Sequence, residues 1–287
     1  MSQKIQWSEL TSRLIAREDL TSEETSWAMD QVMSGETSPV VLAGFLTALA
    51  TKGETPDELR GLADAMLSHA LPIEVEGSVL DIVGTGGDRL HTVNISTMAA
   101  LVIAAGGVPV VKHGNRASSS SSGSADCLEA LGVNLTMSLD AVYRCFEELG
   151  ITFIFANVFH PSMKYAAQAR RELGVRTAFN LLGPLTNPAR PSSSVIGVAS
   201  EQHAPIMAGV LAERGTSSVV FRGVNGMDEL SAVAANEVWE IRDGKVSFYE
   251  IDAVSDLGVA AASLDDLRGA DAAYNADVAR RVFAGEK

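Results

Sequence analysis

Val79-Leu80-Asp81-Ile82-Val83-Gly84-Thr85-Gly86-Gly87-Asp88 is an apolar run that ends in a glycine-rich turn. The run reads as a buried strand, and the glycines let backbone amides approach a ligand closely and adopt positive φ. Two further tracts follow. Asn94-Ile95-Ser96-Thr97 opens an apolar helix expected over 97–105. A strand expected over 108–112 then runs into Lys112-His113-Gly114-Asn115-Arg116 and a serine stretch from Ser118 to Ser122. Each tract is dense in groups that bind phosphate oxygens: glycine amides, hydroxyls, a lysine, an arginine. Three such loops in succession point to a polyanionic ligand held at one edge of a sheet.

Downstream, the spacing predicts helices over 125–131 and 138–149, a strand over 151–156, and a helical stretch over 165–173. Strands follow at 194–198, 218–222, 237–242 and 245–250, the last two joined by Asp243-Gly244, a hairpin signal. Strands alternating with helices predict an α/β sheet whose ligand loops lie at the strand C-termini. Upstream, the chain as far as Leu71-Pro72 reads as helices alone. Thr21-Ser22-Glu23-Glu24 and Thr55-Pro56-Asp57-Glu58 are capping boxes, and Ser38-Pro39 places a cap before a first-turn proline. The stretch 40–50 is apolar nearly all round, which predicts burial on most sides.

The chain has 287 residues, 46% apolar and 20% charged, enough for one large domain or two unequal ones with a sizeable core. A formal charge of −14 argues against a general nucleic-acid binder, while leaving room for a local basic pocket. Cys127 and Cys145 lack metal-site spacing and read as buried helix thiols. The N-terminus shows no apolar signal region, and the apolar stretch 98–111 is interrupted by Gly106-Gly107 and Pro109. A soluble cytoplasmic protein with no membrane or nucleic-acid partner is expected.

Each motif has a bland reading as well. Gly84 to Asp88 is neither a Rossmann fingerprint nor a Walker loop and could be a tight strand-to-helix turn. Asn94 to Thr97 could offer free first-turn amides and the helix dipole to an anion, or could be a plain N-cap by Ser96. Lys112 at a strand end, with His113, Asn115 and Arg116 beyond it, is harder to explain as a solvated loop.

In their order these tracts resemble the anthranilate phosphoribosyltransferases. The resemblance continues through Ser122-Gly123-Ser124-Ala125-Asp126, Leu128 to Gly132, His160-Pro161, Arg170, Arg176 to Pro188, Met227 to Ser231 and Leu267 to Asp271, with Lys52 to Pro56 matching in the helical part. It implies a large α/β sheet domain plus a small all-helical domain, of the nucleoside phosphorylase/phosphoribosyltransferase kind. The helical domain would be 1–72, with part of 165–188 packing on it. The donor-binding α/β domain would be 73–287, lacking the family's helical C-terminal tail, and the site would lie in the cleft between them.

The implied reaction transfers the phosphoribosyl group of 5-phosphoribosyl-1-pyrophosphate to anthranilate in tryptophan biosynthesis. Donor-binding positions carried over are Gly84, Gly87, Asp88, Thr92, Asn94, Ile95, Ser96, Thr97, Lys112, His113, Gly114, Asn115, Arg116, Ala117, Ser118, Ser119, Ser120 and Ser124. Anthranilate would meet Gly84, Asn115, His160 and Arg170, with His113 also lining its tunnel, while Lys164 and Arg171 read as surface charges. Ser96, Asp228 and Glu229 would hold Mg2+, no general base is assigned, and a homodimer through the helical domain is implied. A pyrimidine nucleoside phosphorylase would carry a Lys-Met-Ser-Gly-Arg type tract instead, and a nucleic-acid-binding relative would be basic and lack the glycine and Asp-Glu tracts.

Overall fold

The computed structural model describes residues 5–117 and 121–286; the sequence expectations for Ser118, Ser119 and Ser120 lie outside them. Contacts divide the chain into two compact units. One comprises Met1–Pro72 with Asn157–Pro188, the other Ile73–Ala156 with Ala189–Lys287.

The first unit is helical, with helices at Trp7–Ile15, Ser22–Met33, Pro39–Lys52 and Pro56–Ser68. Both capping boxes form, Thr21 with Glu24 and Thr55 with Glu58, each side chain taking the other residue's backbone N–H. Glu58 is fully buried yet saturated: Leu20 N–H donates to one carboxylate oxygen, and Thr55 N–H and the Lys52 ammonium to the other. Those bonds tie three segments together and offset the cost of burying the charge.

One expectation fails here. The helix Pro39–Lys52 buries Leu42, Phe45, Leu46 and Leu49, each worth about 1.5–3 kcal/mol, but Val40 is 81% exposed and Val41, Gly44 and Thr47 also face out. The four buried residues form one stripe at helical spacing; the valines and alanines off the stripe add apolarity without burial. The helix Lys164–Leu173 packs against this one.

The second unit is built on a seven-stranded sheet: β1 (Leu80–Gly84), β2 (Val110–Gly114), β3 (Ile151–Phe155), β4 (Ser193–Gly197), β5 (Ser217–Gly223), β6 (Asn236–Arg242) and β7 (Lys245–Ile251). The order is β3-β2-β1-β4-β5-β6-β7, parallel from β3 to β5 and antiparallel beyond. Ile82, Ala100 and Val110 form a core cluster joined by Leu80, Ile103, Ile151 and Val195. The chain steps outward from β1 to β3, then returns to β4 on β1's other side. That reversal makes the C-terminal ends of β1 and β4 the crevice of the sheet.

β2 begins two residues later than expected because Pro109 ahead of it cannot donate to the ladder. Lys112 therefore lies inside the strand. Asp243 and Gly244 both take positive φ (51° and 70°), the primed turn of a two-residue hairpin, and β7 closes the sheet with Lys245 to Glu250 exposed.

Candidate active site

Gly84 and Gly197 are register partners at the ends of β1 and β4. Asp228, from the loop after β5, sits over both. A Cβ on Gly84 would lie 2.5 Å from the Asp228 Oδ2, and one on Gly197 only 1.7 Å from its carbonyl oxygen. At Gly197 only glycine fits, and at Gly84 a side chain would displace the carboxylate, so the paired glycines fix where Asp228 stands. The Gly86 N–H donates to Asp228 Oδ2 at 2.6 Å, and Gly86 and Gly87 take positive φ (69° and 81°). The glycine turn is thus wrapped around a carboxylate.

Asp88, Asp228 and Glu229 crowd together. Burial, then the Asp88 charge, pushes Asp228 up to about 7; burial, then Asp228, pushes Glu229 up to about 8. Lys112 lies beneath them. Its ammonium, buried within β2, donates to the Ile82 carbonyl and to Ser96 Oγ at 3.3 Å. Burial lowers its pKa, while Asp81 and Glu229 work in the opposite direction. Sequence reasoning put Lys112 at a strand end, closing over a ligand's phosphates together with the serine loop; the structure puts it inside β2, joining β1 to the start of the helix Ile95–Ala105. Three carboxylates with one buried lysine leave negative charge to be compensated, and hard oxygen donors of this kind suit magnesium. Among the described residues no three His, Cys, Asp or Glu side chains are already grouped to hold a metal, so further oxygen donors would have to complete a shell.

The helix Ile95–Ala105 corrects a second expectation. Its N-cap is Asn94, with Ser96 in the first turn, and the first-turn amides are engaged. Ile95 N–H bonds the Val93 carbonyl, Thr97 N–H the Asn94 carbonyl, and Ser96 N–H the Glu229 carboxylate. The acceptor at this helix start is the Glu229 carboxyl group itself. Ser96 and Glu229 are brought together as the resemblance implied. Thr97 is buried, so its side chain faces the interior.

After β2, Asn115, Arg116 and Ala117 are exposed. Asp126 gathers the neck of the serine loop, accepting from Ala117 N–H (2.8 Å), Gly123 N–H (3.0 Å) and Arg116 Nη1 (2.9 Å). Burial opposes ionisation of Asp126, but those donors hold it below the usual carboxylate range. Arg116 also pairs with Glu129 and lies over the Phe155 ring, 5.6 Å from its centroid. Those contacts brace the neck of the loop. His113 is buried in β2, its N–H bonded to Asp81, and Ser124 Oγ donates to the Asn115 carbonyl. Thr92 bridges to Arg268.

In the helical unit, His160 is buried and its Nε2–H donates to the Thr186 carbonyl at 2.9 Å. Burial drives its pKa down to about 4, so the ring is neutral. Arg170 lies in the last turn of Lys164–Leu173, half-buried, with its guanidinium over the Phe179 ring at 5.0 Å. It pairs with no carboxylate among the described residues. Lys164 and Arg171 are exposed, as read.

Residues 8–70 match the family described as glycosyl transferase family, helical bundle domain, and residues 76–287 the glycosyl transferase family, a/b domain. The anthranilate phosphoribosyltransferase of Arthrobacter sp. (strain FB24) is 59% identical over 279 residues, 97% of this chain and 79% of the relative. The chain belongs to the anthranilate phosphoribosyltransferases. The crystal structure of the Thermus thermophilus member superposes with a TM-score of 0.90 at 47% identity, covering 97% of this chain and 83% of that one. The Saccharomyces cerevisiae member, solved in complex with PRPP and Mg, gives a TM-score of 0.87 at 28% identity over 96% and 80% of the two chains. It has also been solved with 4-fluoroanthranilate. The nucleoside phosphorylase and nucleic-acid readings are set aside.

Several site-building residues escaped sequence reasoning. Gly197 is far in sequence from the glycine turn it supports, and Asp81, though inside the opening run, carried no sign that it would reach His113 on the next strand. Asp126 lay within a quoted tract, where a carboxylate in the first turn of a short helix was the available signal.

Proposed function

We propose that this chain transfers the phosphoribosyl group of 5-phosphoribosyl-1-pyrophosphate to anthranilate, giving N-(5-phosphoribosyl)anthranilate and pyrophosphate, in tryptophan biosynthesis. The observation that carries the reading is the Asp228 carboxylate seated over paired Gly84 and Gly197, with Asp88, Glu229 and Lys112 around it, at the crevice of the sheet. In our reading, Gly87, Asp88, Thr92 and Asn94 to Thr97 hold the donor's pyrophosphate and ribose. Gly114 to Ala117, Ser118 to Ser120 and Ser124 close over the phosphates, and Lys112 and His113 support that loop from the strand below.

The forming bond runs from the anthranilate amine to C1 of the ribose, and the bond from C1 to pyrophosphate breaks, with inversion and loss of one amine proton. Magnesium bound by Ser96, Asp228 and Glu229, beside Asp88, would supply charge neutralisation for the leaving pyrophosphate. Arg170, lacking a carboxylate of its own, takes the anthranilate carboxylate through two parallel bonds. Gly84 and Asn115 contribute further contacts to the acceptor. His160 is neutral and bonded to Thr186, which suits a residue that shapes a site rather than one that moves a proton. Catalysis rests on positioning and leaving-group electrostatics.

Loss of anthranilate fluorescence in the presence of donor and magnesium tests the proposal; anthranilate that persists with both present overturns it. The exposed face of Pro39–Lys52, with Val40 and Val41, supports a homodimer through the helical unit, and light scattering that returns a monomer at micromolar concentration would sink that part. We place the protein in the cytoplasm. Among the described residues no helix is long and apolar enough to cross a membrane.

A further inference from the structure

Asn94, given above to the donor, does not stand alone. Its Oδ1 accepts from Asn275 Nδ2 at 2.9 Å and from Ser122 Oγ at 3.2 Å, and its Nδ2 donates to the Ser122 carbonyl at 3.1 Å. Asn275 lies in the helix Ala272–Phe283, is 2% exposed, and accepts the Ala270 N–H on its own Oδ1 at 2.9 Å. The two amides therefore form a chain with a backbone donor at one end and a backbone acceptor at the other. That fixes its polarity. Ala270 N–H can only donate, so Asn275 must turn its NH2 toward Asn94; Asn94 must then present its carbonyl, which leaves its NH2 toward the Ser122 carbonyl. Among the described residues one Asn94 amide proton is used this way, and the second is aimed by default.

The segment just ahead of Asn275 grips the same loop. Val93 N–H bonds the Leu267 carbonyl, Gly269 N–H bonds the His91 carbonyl, and Thr92 bridges to Arg268. The backbone leading into Asn94 is set by residues far along the chain.

We propose that Asn275 is a positioning residue for the phosphoribosyl donor: it touches no substrate and acts by holding the Asn94 side-chain amide in a single orientation. The inference rests on Asn94 binding the donor. Asn275→Asp is nearly isosteric and keeps the acceptor for Ala270 N–H, but turns an acceptor toward Asn94. The Asn94 amide must then flip and set its oxygen against the Ser122 carbonyl, or stay and face the new carboxylate. Either way one buried polar contact is mispaired, which should raise the donor KM about ten- to a hundredfold. The anthranilate KM should stay within about twofold, a change too small to signify a lost contact.

The test is a set of steady-state kinetics on wild type, Asn94→Ala, Asn275→Asp and the double variant, with thermal melts of each. The expected pattern is a raised donor KM in both single variants and no further rise when Asn275→Asp is added to Asn94→Ala. Additive effects in the double variant, or a donor KM in Asn275→Asp equal to wild type, overturn the proposal. Equal rises in both substrates' KM with a lowered melt make Asn275 a fold residue and overturn it too. Should Asn94→Ala itself leave the donor KM unchanged, the assignment of Asn94 to the donor has failed, which is a separate result. Asn275→Ala, which removes both contacts without adding a charge, repeats the cycle if the aspartate variant does not fold.

Discussion

Replacing Gly197 by alanine adds one methyl where the Asp228 carbonyl oxygen already stands, 1.7 Å from the new Cβ, with the Asp228 carbonyl carbon at 2.6 Å. Both atoms are backbone, so no rotamer relieves the clash. To reach ordinary contact the loop carrying Asp228 and Glu229 must retreat by roughly 1.5–2 Å, an overpacking that costs about 1–3 kcal/mol. A misplacement of that size at a catalytic carboxylate is expected to lower kcat/KM about a hundredfold. Gly84→Ala differs in kind. Its Cβ would meet the Asp228 Oδ2, the end of a side chain, so the carboxylate can swing away at small cost to stability. Gly84→Ala should therefore melt near wild type yet require more magnesium, whereas Gly197→Ala should melt several degrees lower and lose turnover. Gly44→Ala, where the methyl meets nothing within 4 Å, is the control. Scanning calorimetry with kinetics titrated in magnesium reads all three. Wild-type kcat/KM and magnesium dependence in Gly197→Ala would refute the claim that the two strand ends seat Asp228.

Arg170→Ala should weaken anthranilate about ten- to a hundredfold, the loss of a charged hydrogen-bond partner, with donor affinity near normal; equal loss for both substrates removes Arg170 from the acceptor site. The double variant Asp228→Asn with Glu229→Gln keeps the shape of two carboxylates whose pKa values are raised to about 7 and 8. It should fold normally and demand far more magnesium, and in wild type donor and metal should bind with positive linkage. Calorimetry that finds the same donor affinity with and without magnesium would assign these carboxylates to the fold. His160 titrates near 4 when folded against an ordinary 6.5. The unfolded chain takes the proton first as pH falls, so stability present above pH 6.5 is lost toward pH 4, by about 3 kcal/mol in full. Denaturant melts of His160→Gln should show a smaller loss between those pH values than wild type, and equal losses would count against burial as the cause.

The features legible in the sequence were local. Capping boxes at Thr21 and Thr55, the Asp243-Gly244 turn and the apolar strand ending at Gly84 each carry their signal within a few residues. What was not legible depends on neighbours distant in sequence. The helix Pro39–Lys52 read as buried because its composition is apolar, but which side chains are covered depends on what packs against it. Lys112 read as the last residue of its strand because strand ends blur by a residue or two; β2 runs on to Gly114, and that shift keeps the ammonium within the sheet. The first-turn amides of Ile95–Ala105 read as free because Glu229, which takes one of them, lies far along the chain. Asn275 meets Asn94 across 181 positions, and no pattern in either stretch announces the pairing.

The last strand has a consequence for handling the protein. β7 ends the sheet, and Val246, Phe248 and Tyr249 stand out from it into solvent. Among the described residues only β6 pairs with it, so one side of β7 presents a row of amides and carbonyls that no described strand covers. Lys245 and Glu250 place charges near its ends, and the stretch between them is short and rich in strand-forming residues. In concentrated or warmed solution this rim, opposite β3, is where strand would add to strand between chains.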